Sequence, residues 1–160
     1  HGRTRCQFYQ GKADWRAIAH IKQAVSVPVV ANGDVSNPFD AATILEESGA
    51  DAVMIGRAHY GAPWLAGSIV AAAGGSIVSN RPESLADYIT AHYEDMLSLY
   101  GIESGLRQAR KHLGWYLDRH VPAISADQRK PILTSFEPAQ VIALMREAFA
   151  PEAQGLRNAA

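Results

Sequence analysis

The sequence has little of what marks several large classes of protein. Its one cysteine, Cys6, excludes an internal disulfide and is typical of a reducing compartment. Its apolar runs fall short of the ~20 residues that a helix needs to cross a bilayer. The 15 basic and 16 acidic residues give a net charge of −1, so composition predicts no bulk attraction to nucleic acid. The Cys and His spacings match no zinc pattern, and we expect no metal site.

A strand-helix-strand unit is predicted between residues 27 and 57. Two apolar runs, Val27–Asn32 and Ala52–Ile55, start about 25 residues apart, which suits one βαβ unit. Neither run alternates with polar residues, so we expect strands buried on both faces, as in a parallel sheet. Each run ends in a turn with a glycine, at the strand edge where parallel α/β proteins bind ligands.

The helix between the two strands has clear end signals. Asn37 can cap its N-terminus, Pro38 occupies the first helical position, and Gly49 ends it. We expect its apolar face to carry Phe39, Ala42 and Leu45. Further helices are predicted over residues 15–24, with Asp14 as the cap, and over residues 64–73.

The second half of the chain shows helical periodicity and no convincing strand. The spacing of apolar residues predicts helices over 83–100, 105–120, 125–133 and 137–149, which together make a small helical bundle. We therefore predict an α/β domain over residues 1–77, an all-α domain over 78–150, and a disordered tail over 151–160.

Two glycine turns are the first candidates for a functional site, Asn32-Gly33-Asp34 and Gly56-Arg57. Without a Cβ, Gly33 and Gly56 let backbone N–H groups approach an anion. A helix beginning soon after Arg57 would add its N-terminal dipole. Such turns also occur as plain tight turns in α/β proteins, with Asp34 merely capping, and spacing alone leaves both interpretations open.

Two basic clusters are further candidates. His1, with Arg3 and Arg5, could contact a cofactor ring or phosphate, although a mobile loop with solvated arginines is the simpler interpretation. Arg107, Lys111 and Trp115 recur every four residues on one helix, with Arg110 at the margin, and such a stripe suits RNA. An ordinary solvated face, with Trp115 packed inward, explains the same stripe and is favoured by periodicity alone. Cys6 has no partner in the sequence that would activate it, and we take it as incidental.

Six segments carry a family resemblance that covers residues 1 to about 150. They are HGRTR at 1–5, Ala13-Asp14-Trp15, VPVVANGDV at 27–35, GADAVMIGRA at 49–58, Gly61-Ala62-Pro63-Trp64 and ARKHLGWYL at 109–117. In this order they resemble the bacterial B-type branch of the tRNA-dihydrouridine synthases. Other flavin barrels share the two glycine turns, so the ordered set with ARKHLGWYL is what makes the resemblance specific.

The resemblance implies a flavin enzyme that acts on RNA. In this family FMN lies at the C-terminal mouth of a (β/α)₈ TIM barrel, NADPH reduces it, and a hydride passes to the C5=C6 bond of a uridine in tRNA. A cysteine protonates the other carbon, and a helical domain recognises the tRNA. The implied FMN contacts are His1, Asn32, Gly33 and Asp34, with Gly56 and Arg57 at its phosphate. The implied RNA contacts are Arg107, Arg110 and Lys111.

The resemblance begins late in the family's barrel. HGRTR matches the end of the sixth strand, so the catalytic cysteine and the flavin-contacting lysine of the family have no counterpart here. Cys6 follows that strand and does not match the proton donor. We expect a fragment that is inactive alone, from a cytoplasmic enzyme that is monomeric at full length and has no membrane anchor. Two alternatives are a non-catalytic RNA-binding module and another flavin-dependent TIM-barrel oxidoreductase that acts on a small molecule.

Overall fold

The computed structural model describes residues 1–76 and 82–150, and it divides into two compact units between Arg81 and Pro82. Each unit is described by itself. The predicted domain boundary at residue 78 and the predicted tail at 151–160 lie outside the described residues. In the two described ranges, the helices are too short or too polar to cross a membrane.

The first unit contains three helices and two strands. These elements are α1 (Trp15–Ala24), β1 (Val30–Asn32), α2 (Pro38–Ser48), β2 (Ala52–Met54) and α3 (Leu65–Ala72), with short 3-10 helices at Arg5–Gln7 and Arg57–His59. The predicted helix ends are confirmed. Asp14 accepts a hydrogen bond from the Ala17 amide and Asn37 accepts one from the Asp40 amide, while Gly49 ends α2 with a φ of 64°.

The two strands pair in parallel, with Val30 opposite Ala52 and Asn32 opposite Met54, so the βαβ unit is confirmed. The expected burial on both faces is wrong, because Val30 is 56% and Met54 is 50% exposed. In the part of the chain that the structure describes, the sheet has two strands. Ala31, with Ile18 of α1 and Ile44 of α2, forms the core on one face, and within the described residues Val30 and Met54 are exposed on the other.

The buried face of α2 also differs from the prediction. Ala41, Ile44 and Ser48 are buried. The three residues of the predicted face, Phe39, Ala42 and Leu45, are all exposed, Phe39 by 78%. Apolar residues occupy more than one side of this helix, and the sheet covers the side with Ile44. The pattern alone could not separate the two faces.

The second unit is helical throughout residues 82–150. Its elements are α4 (Leu85–Tyr100), α5 (Ile102–His120), α6 (Ala126–Thr134) and α7 (Pro138–Ala148). α4 packs against α5 and α7, and α6 packs against the same two helices. The predicted helical bundle has its core on α4, α5 and α7. The buried side chains there include Ile89, Tyr93, Met96, Leu113, Tyr116, Leu117, Val141 and Met145.

The connection between α4 and α5 is shorter than the sequence suggested, and the two helices pack closely at Gly105. α5 begins at Ile102, directly after Gly101, rather than at Gly105. Gly105 is buried where α5 meets α4, and a Cβ there would lie 2.8 Å from the Leu97 Cα. On α4, Tyr93 is buried in the core, whereas Leu99 is 74% exposed.

Candidate functional site

A pocket of about 590 Å³ opens at the C-terminal ends of β1 and β2. This volume is within the range of small-molecule sites. The structure brings all six candidate cofactor residues of the sequence analysis into its wall: His1, Asn32, Gly33, Asp34, Gly56 and Arg57. The wall also contains Arg3, Tyr9, Val35, Ser36 and Ala58. The parallel pairing of the strands explains the convergence, because it places both turns at one edge of the sheet.

The turn after β1 is held by the first fifteen residues of the chain. The Gly2 amide donates to the Asn32 carbonyl at 3.0 Å, and the Trp15 indole N–H donates to the Gly33 carbonyl at 2.8 Å. Gly33 has a φ of 136°, and a Cβ there would lie 2.6 Å from the Ala13 Cβ. Glycine at 33 is therefore needed for the turn and for close packing against Ala13.

Asp34 is neutralised inside the pocket wall by Arg3. Its carboxylate accepts two hydrogen bonds from the Arg3 guanidinium, at 2.8 and 2.7 Å, and a third from the Ala13 amide at 2.8 Å. The Arg3 hydrogen bonds lower the pKa of Asp34 most, with further lowering from the Ala13 amide and the nearby charge of Arg57. The side chain of Arg3 is 5% exposed, so the predicted solvated arginine at this position is wrong.

The turn after β2 has an open glycine. A Cβ at Gly56 would meet only the Asn32 side-chain nitrogen, at 3.9 Å. That nitrogen donates to the Met54 carbonyl at 2.8 Å, which ties the Asn32 side chain to the neighbouring strand. Backbone at Gly56 can therefore be approached closely from the pocket, which is the property expected of an anion cradle.

The helix expected soon after Gly56 is a single 3-10 turn, Arg57–His59, and α3 begins only at Leu65. A turn of three residues aligns few peptide dipoles, so the predicted helix-dipole contribution at this position is small. Positive charge at this end of the pocket comes instead from the Arg57 side chain. Within residues 1–76 and 82–150, Arg57 takes part in no salt bridge.

The sequence did not indicate a role for Tyr9, but its ring lies against the side chain of Arg57. The Arg57 guanidinium carbon is 4.5 Å from the centre of the Tyr9 ring, a cation–π distance. Tyr9 follows Phe8, whose φ of 48° is unusual for an aromatic residue. The one sequence feature that could have indicated Tyr9 is its place in the loop that follows HGRTR. Its partner, Arg57, is distant in sequence.

The three remaining candidates of the first loop are His1, Arg5 and Cys6. Arg5 is exposed and does not line the pocket. His1 lines the pocket, and its Nδ1 accepts a hydrogen bond from the Arg3 amide at 2.9 Å. Cys6 lies in the 3-10 helix Arg5–Gln7, is exposed, and does not line the pocket.

The three candidate RNA contacts on α5 are in different environments. Arg107 is 64% exposed and pairs with Glu103 one turn earlier, at 3.1 Å. The Lys111 ammonium lies 5.2 Å from the centre of the Trp115 ring. Arg110 turns toward the end of α6, where it donates to the Thr134 carbonyl at 3.3 Å and lies over the Phe136 ring. Its Nε is buried, so Arg107 and Lys111 are the more accessible cations of the three.

A histidine-tyrosine cluster joins α4 and α5. His92 Nδ1 and the Tyr116 hydroxyl are 2.9 Å apart, and the His92 and His112 rings have centroids 5.3 Å apart. Burial lowers the pKa of His92, against an opposite effect of the Asp95 carboxylate, and burial raises the pKa of Tyr116. Nothing in the sequence pairs His92 with Tyr116, because the two residues are 24 positions apart.

The comparisons with known proteins decide the family. The sequence model of the family described as dihydrouridine synthase (Dus) matches residues 1–153. The chain belongs to the dihydrouridine synthase family. This confirms the resemblance expected from the six segments, and the pocket and the α5 face are therefore features of a Dus chain.

Three relatives show how much of a Dus protein the chain represents. It is 48% identical over 160 residues to a probable tRNA-dihydrouridine synthase of Rhizobium leguminosarum bv. phaseoli, covering 100% of this chain and 49% of the relative. It is 49% identical over 151 residues to a probable tRNA-dihydrouridine synthase of Rhodobacter capsulatus, covering 93% of this chain and 45% of the relative. It is 46% identical over 153 residues to tRNA-dihydrouridine synthase B of Xanthomonas axonopodis pv. citri, covering 93% and 45%. The chain thus spans about half the length of these relatives.

Proposed function

We propose that this chain is the C-terminal part of an FMN-dependent tRNA-dihydrouridine synthase, which reduces a uridine of tRNA with NADPH as the source of electrons. Residues 1–76 would be the last part of a (β/α)₈ barrel, and residues 82–150 would be the tRNA-binding bundle. The observation that carries the proposal is the single pocket that collects both glycine turns and Arg57 at the ends of two parallel strands.

The residues of the pocket fit a flavin phosphate. A dianion needs backbone that it can approach and a cation that is not already neutralised. Gly56 has open space where a Cβ would stand, and Arg57 is outside the salt bridges of the described residues. Asp34, the acidic side chain in the wall, is held by Arg3. Gly56 and Arg57 would hold the phosphate, and His1, Asn32, Gly33 and Asp34 would contact the rest of the cofactor.

Bound FMN would supply the hydride for the reduction. This chain would orient the cofactor, through the fixed turn after β1 and the charged end of the pocket. The proton that completes the reduction needs a separate donor, and the exposed Cys6 lies outside the pocket wall. We expect the donor to come from the part of the family's length that this chain does not span, and we expect the chain alone to have no reductase activity.

The helical unit would contact tRNA through Arg107 and Lys111. Arg107 is exposed on α5, and Lys111 lies one turn further along the same face, beside Trp115. Cations beside an aromatic ring suit a phosphate backbone with unpaired bases. The placement of Arg110 against Thr134 and Phe136 supports a structural role for it instead.

The phosphate assignment can be tested with two flavins that differ only in the phosphate. FMN and riboflavin are titrated into the chain and into its Arg57→Ala variant, and flavin fluorescence reports binding. We expect Arg57→Ala to weaken FMN binding by about 10- to 150-fold, the equivalent of a charge-assisted bond of ~1.5–3 kcal/mol, and to leave riboflavin binding unchanged.

Arg16→Ala is the matched control for this experiment. It removes the same charge from an 82% exposed side chain on α1 that does not line the pocket. It should bind both flavins like the unmodified chain. Equal affinity of Arg57→Ala and the unmodified chain for FMN would remove Arg57 from the phosphate site.

A further inference from the structure

We propose that Tyr9 is a positioning residue for the anion end of the pocket: its ring holds the Arg57 guanidinium in place for a phosphate. This inference rests on the proposed function, because it assumes that Arg57 meets the phosphate of FMN. It adds a residue that carries no charge and would act only through Arg57.

Tyr9 and Arg57 are in contact in the wall of the pocket. The Arg57 guanidinium carbon is 4.5 Å from the centre of the Tyr9 ring, and both residues line the pocket. A guanidinium over an aromatic face is attracted by the ring's quadrupole while its N–H donors stay free around the edge. The contact can therefore fix the side chain without occupying the donors that a phosphate would use.

The Asp34 carboxylate is a competing partner for the Arg57 guanidinium. Asp34 lines the same pocket, and the charge of Arg57 contributes to the lowered pKa of this carboxyl. If Arg57 turned to Asp34, the cation would be neutralised by an internal partner. In the structure Arg3 donates to both carboxylate oxygens of Asp34, and the Arg57 guanidinium lies over the Tyr9 ring instead.

The backbone at Phe8 presents Tyr9 to the pocket. Phe8 has a φ of 48°, a conformation that costs free energy for a residue with a Cβ. The Phe8 side chain is 75% exposed, so burial of that ring does not compensate for the cost. The residue that the turn places against another group is Tyr9, whose ring meets Arg57.

The test compares Tyr9→Leu, which removes the aromatic face, with Tyr9→Phe, which keeps it. Both variants and the unmodified 160-residue chain are titrated with FMN, riboflavin and inorganic phosphate. We expect Tyr9→Leu to weaken binding of FMN and of inorganic phosphate about two- to fivefold, as for an exposed cation–π contact, and to leave riboflavin unchanged. Tyr9→Phe should restore the affinity of the unmodified chain. Phe39→Leu, a matched control at an exposed aromatic residue of α2 outside the pocket wall, should have no effect.

A second measurement separates positioning from general stability. The NMR resonance of the Arg57 Nε–H should be shifted upfield by the ring current of Tyr9, and the shift should vanish in Tyr9→Leu and persist in Tyr9→Phe. In the double variant Tyr9→Leu with Arg57→Ala, FMN affinity should equal that of Arg57→Ala alone, because Tyr9 would have no cation to hold.

The results separate the role of Tyr9 from the phosphate assignment of Arg57, on which that role depends. If Arg57→Ala weakens FMN binding but Tyr9→Leu does not, the role of Tyr9 is wrong and the phosphate site stands. If Tyr9→Leu weakens both flavins equally, the ring contacts the flavin itself and the positioning role is wrong. An Arg57 Nε–H without a ring-current shift overturns it as well. If neither variant changes FMN affinity, the phosphate assignment fails, and the role of Tyr9 fails with it.

Discussion

Arg3 and Asp34 form a two-bond ion pair in the wall of the pocket, with Nη1–Oδ1 at 2.8 Å and Nη2–Oδ2 at 2.7 Å. The pair joins the first loop of the chain to the turn after β1. Arg3 also donates to the Gln10 and Gly11 carbonyls, so one guanidinium fixes both the loop and the turn. The pocket therefore depends on Arg3 for its shape and for the neutralisation of its carboxylate.

Replacement of Arg3 by Ala should raise the pKa of Asp34 toward its ordinary value, because the Arg3 hydrogen bonds are the largest cause of the lowered pKa. NMR titration of the Asp34 carboxyl carbon measures this change. The folded-state pKa lies below the unfolded one, so the pair stabilises the fold above pH ~4 and loses that effect as the pH falls through the folded-state pKa. Arg16→Ala, which weakens a 3.5 Å pair with Glu47, is the control. An unchanged Asp34 pKa in Arg3→Ala would contradict the account of the turn.

The helical unit should lose stability as the pH falls below ~6.5. Burial lowers the pKa of His92 and of His112, so the unfolded chain takes up protons in a range where the folded chain does not. Thermal unfolding followed by circular dichroism between pH 7 and pH 5 measures the slope. His92→Asn should reduce it, whereas His20→Asn, at an exposed position on α1, should leave it unchanged. An identical slope in His92→Asn would show that this cluster does not control the pH dependence.

Two glycines of α5 should respond in opposite ways to replacement by Ala. At Gly105 the added Cβ would lie 2.8 Å from backbone atoms of α4, so Gly105→Ala should lower the free energy of unfolding by about 1–3 kcal/mol. At Gly114 the nearest atom is the end of the Arg129 side chain, at 3.6 Å, so Gly114→Ala should raise it by up to ~1 kcal/mol through helix propensity. Urea unfolding measures both. Equal effects would mean that α4 and α5 do not approach each other at Gly105.

Charge reversal on α5 should weaken tRNA binding. Arg107→Glu with Lys111→Glu is expected to reduce affinity at least about tenfold and to lower the slope of log K against log salt by ~1.5–2, since two phosphate contacts are lost. Filter binding over a range of salt concentrations measures both quantities. Lys130→Glu, on α6, is the control with the same charge change per site. If the double variant binds tRNA normally, the α5 face is not the contact surface, and a flavin enzyme with a small-molecule substrate becomes the better interpretation.

The parts of the structure that the sequence predicted are those that local chemistry decides. The Asp14 and Asn37 caps, the αL conformation of Gly49 and the two glycine turns depend on a few neighbouring residues. The buried face of α2 could not be predicted, because Phe39 and Ile44 are equally apolar and only the sheet selects between them. The pairing of Arg3 with Asp34, 31 residues away, required the tertiary fold. The contact of Tyr9 with Arg57 did so as well.

In the proposed function, FMN places its phosphate at Gly56 and Arg57. The most direct measurement is a titration of FMN, and separately of riboflavin, into the ¹⁵N-labelled chain. The account predicts that FMN shifts the amide resonances of Gly33, Gly56 and Arg57, and that riboflavin leaves those of Gly56 and Arg57 in place. Shifts at Gly56 and Arg57 that are the same for both flavins, or FMN shifts confined to residues outside the pocket, would contradict it.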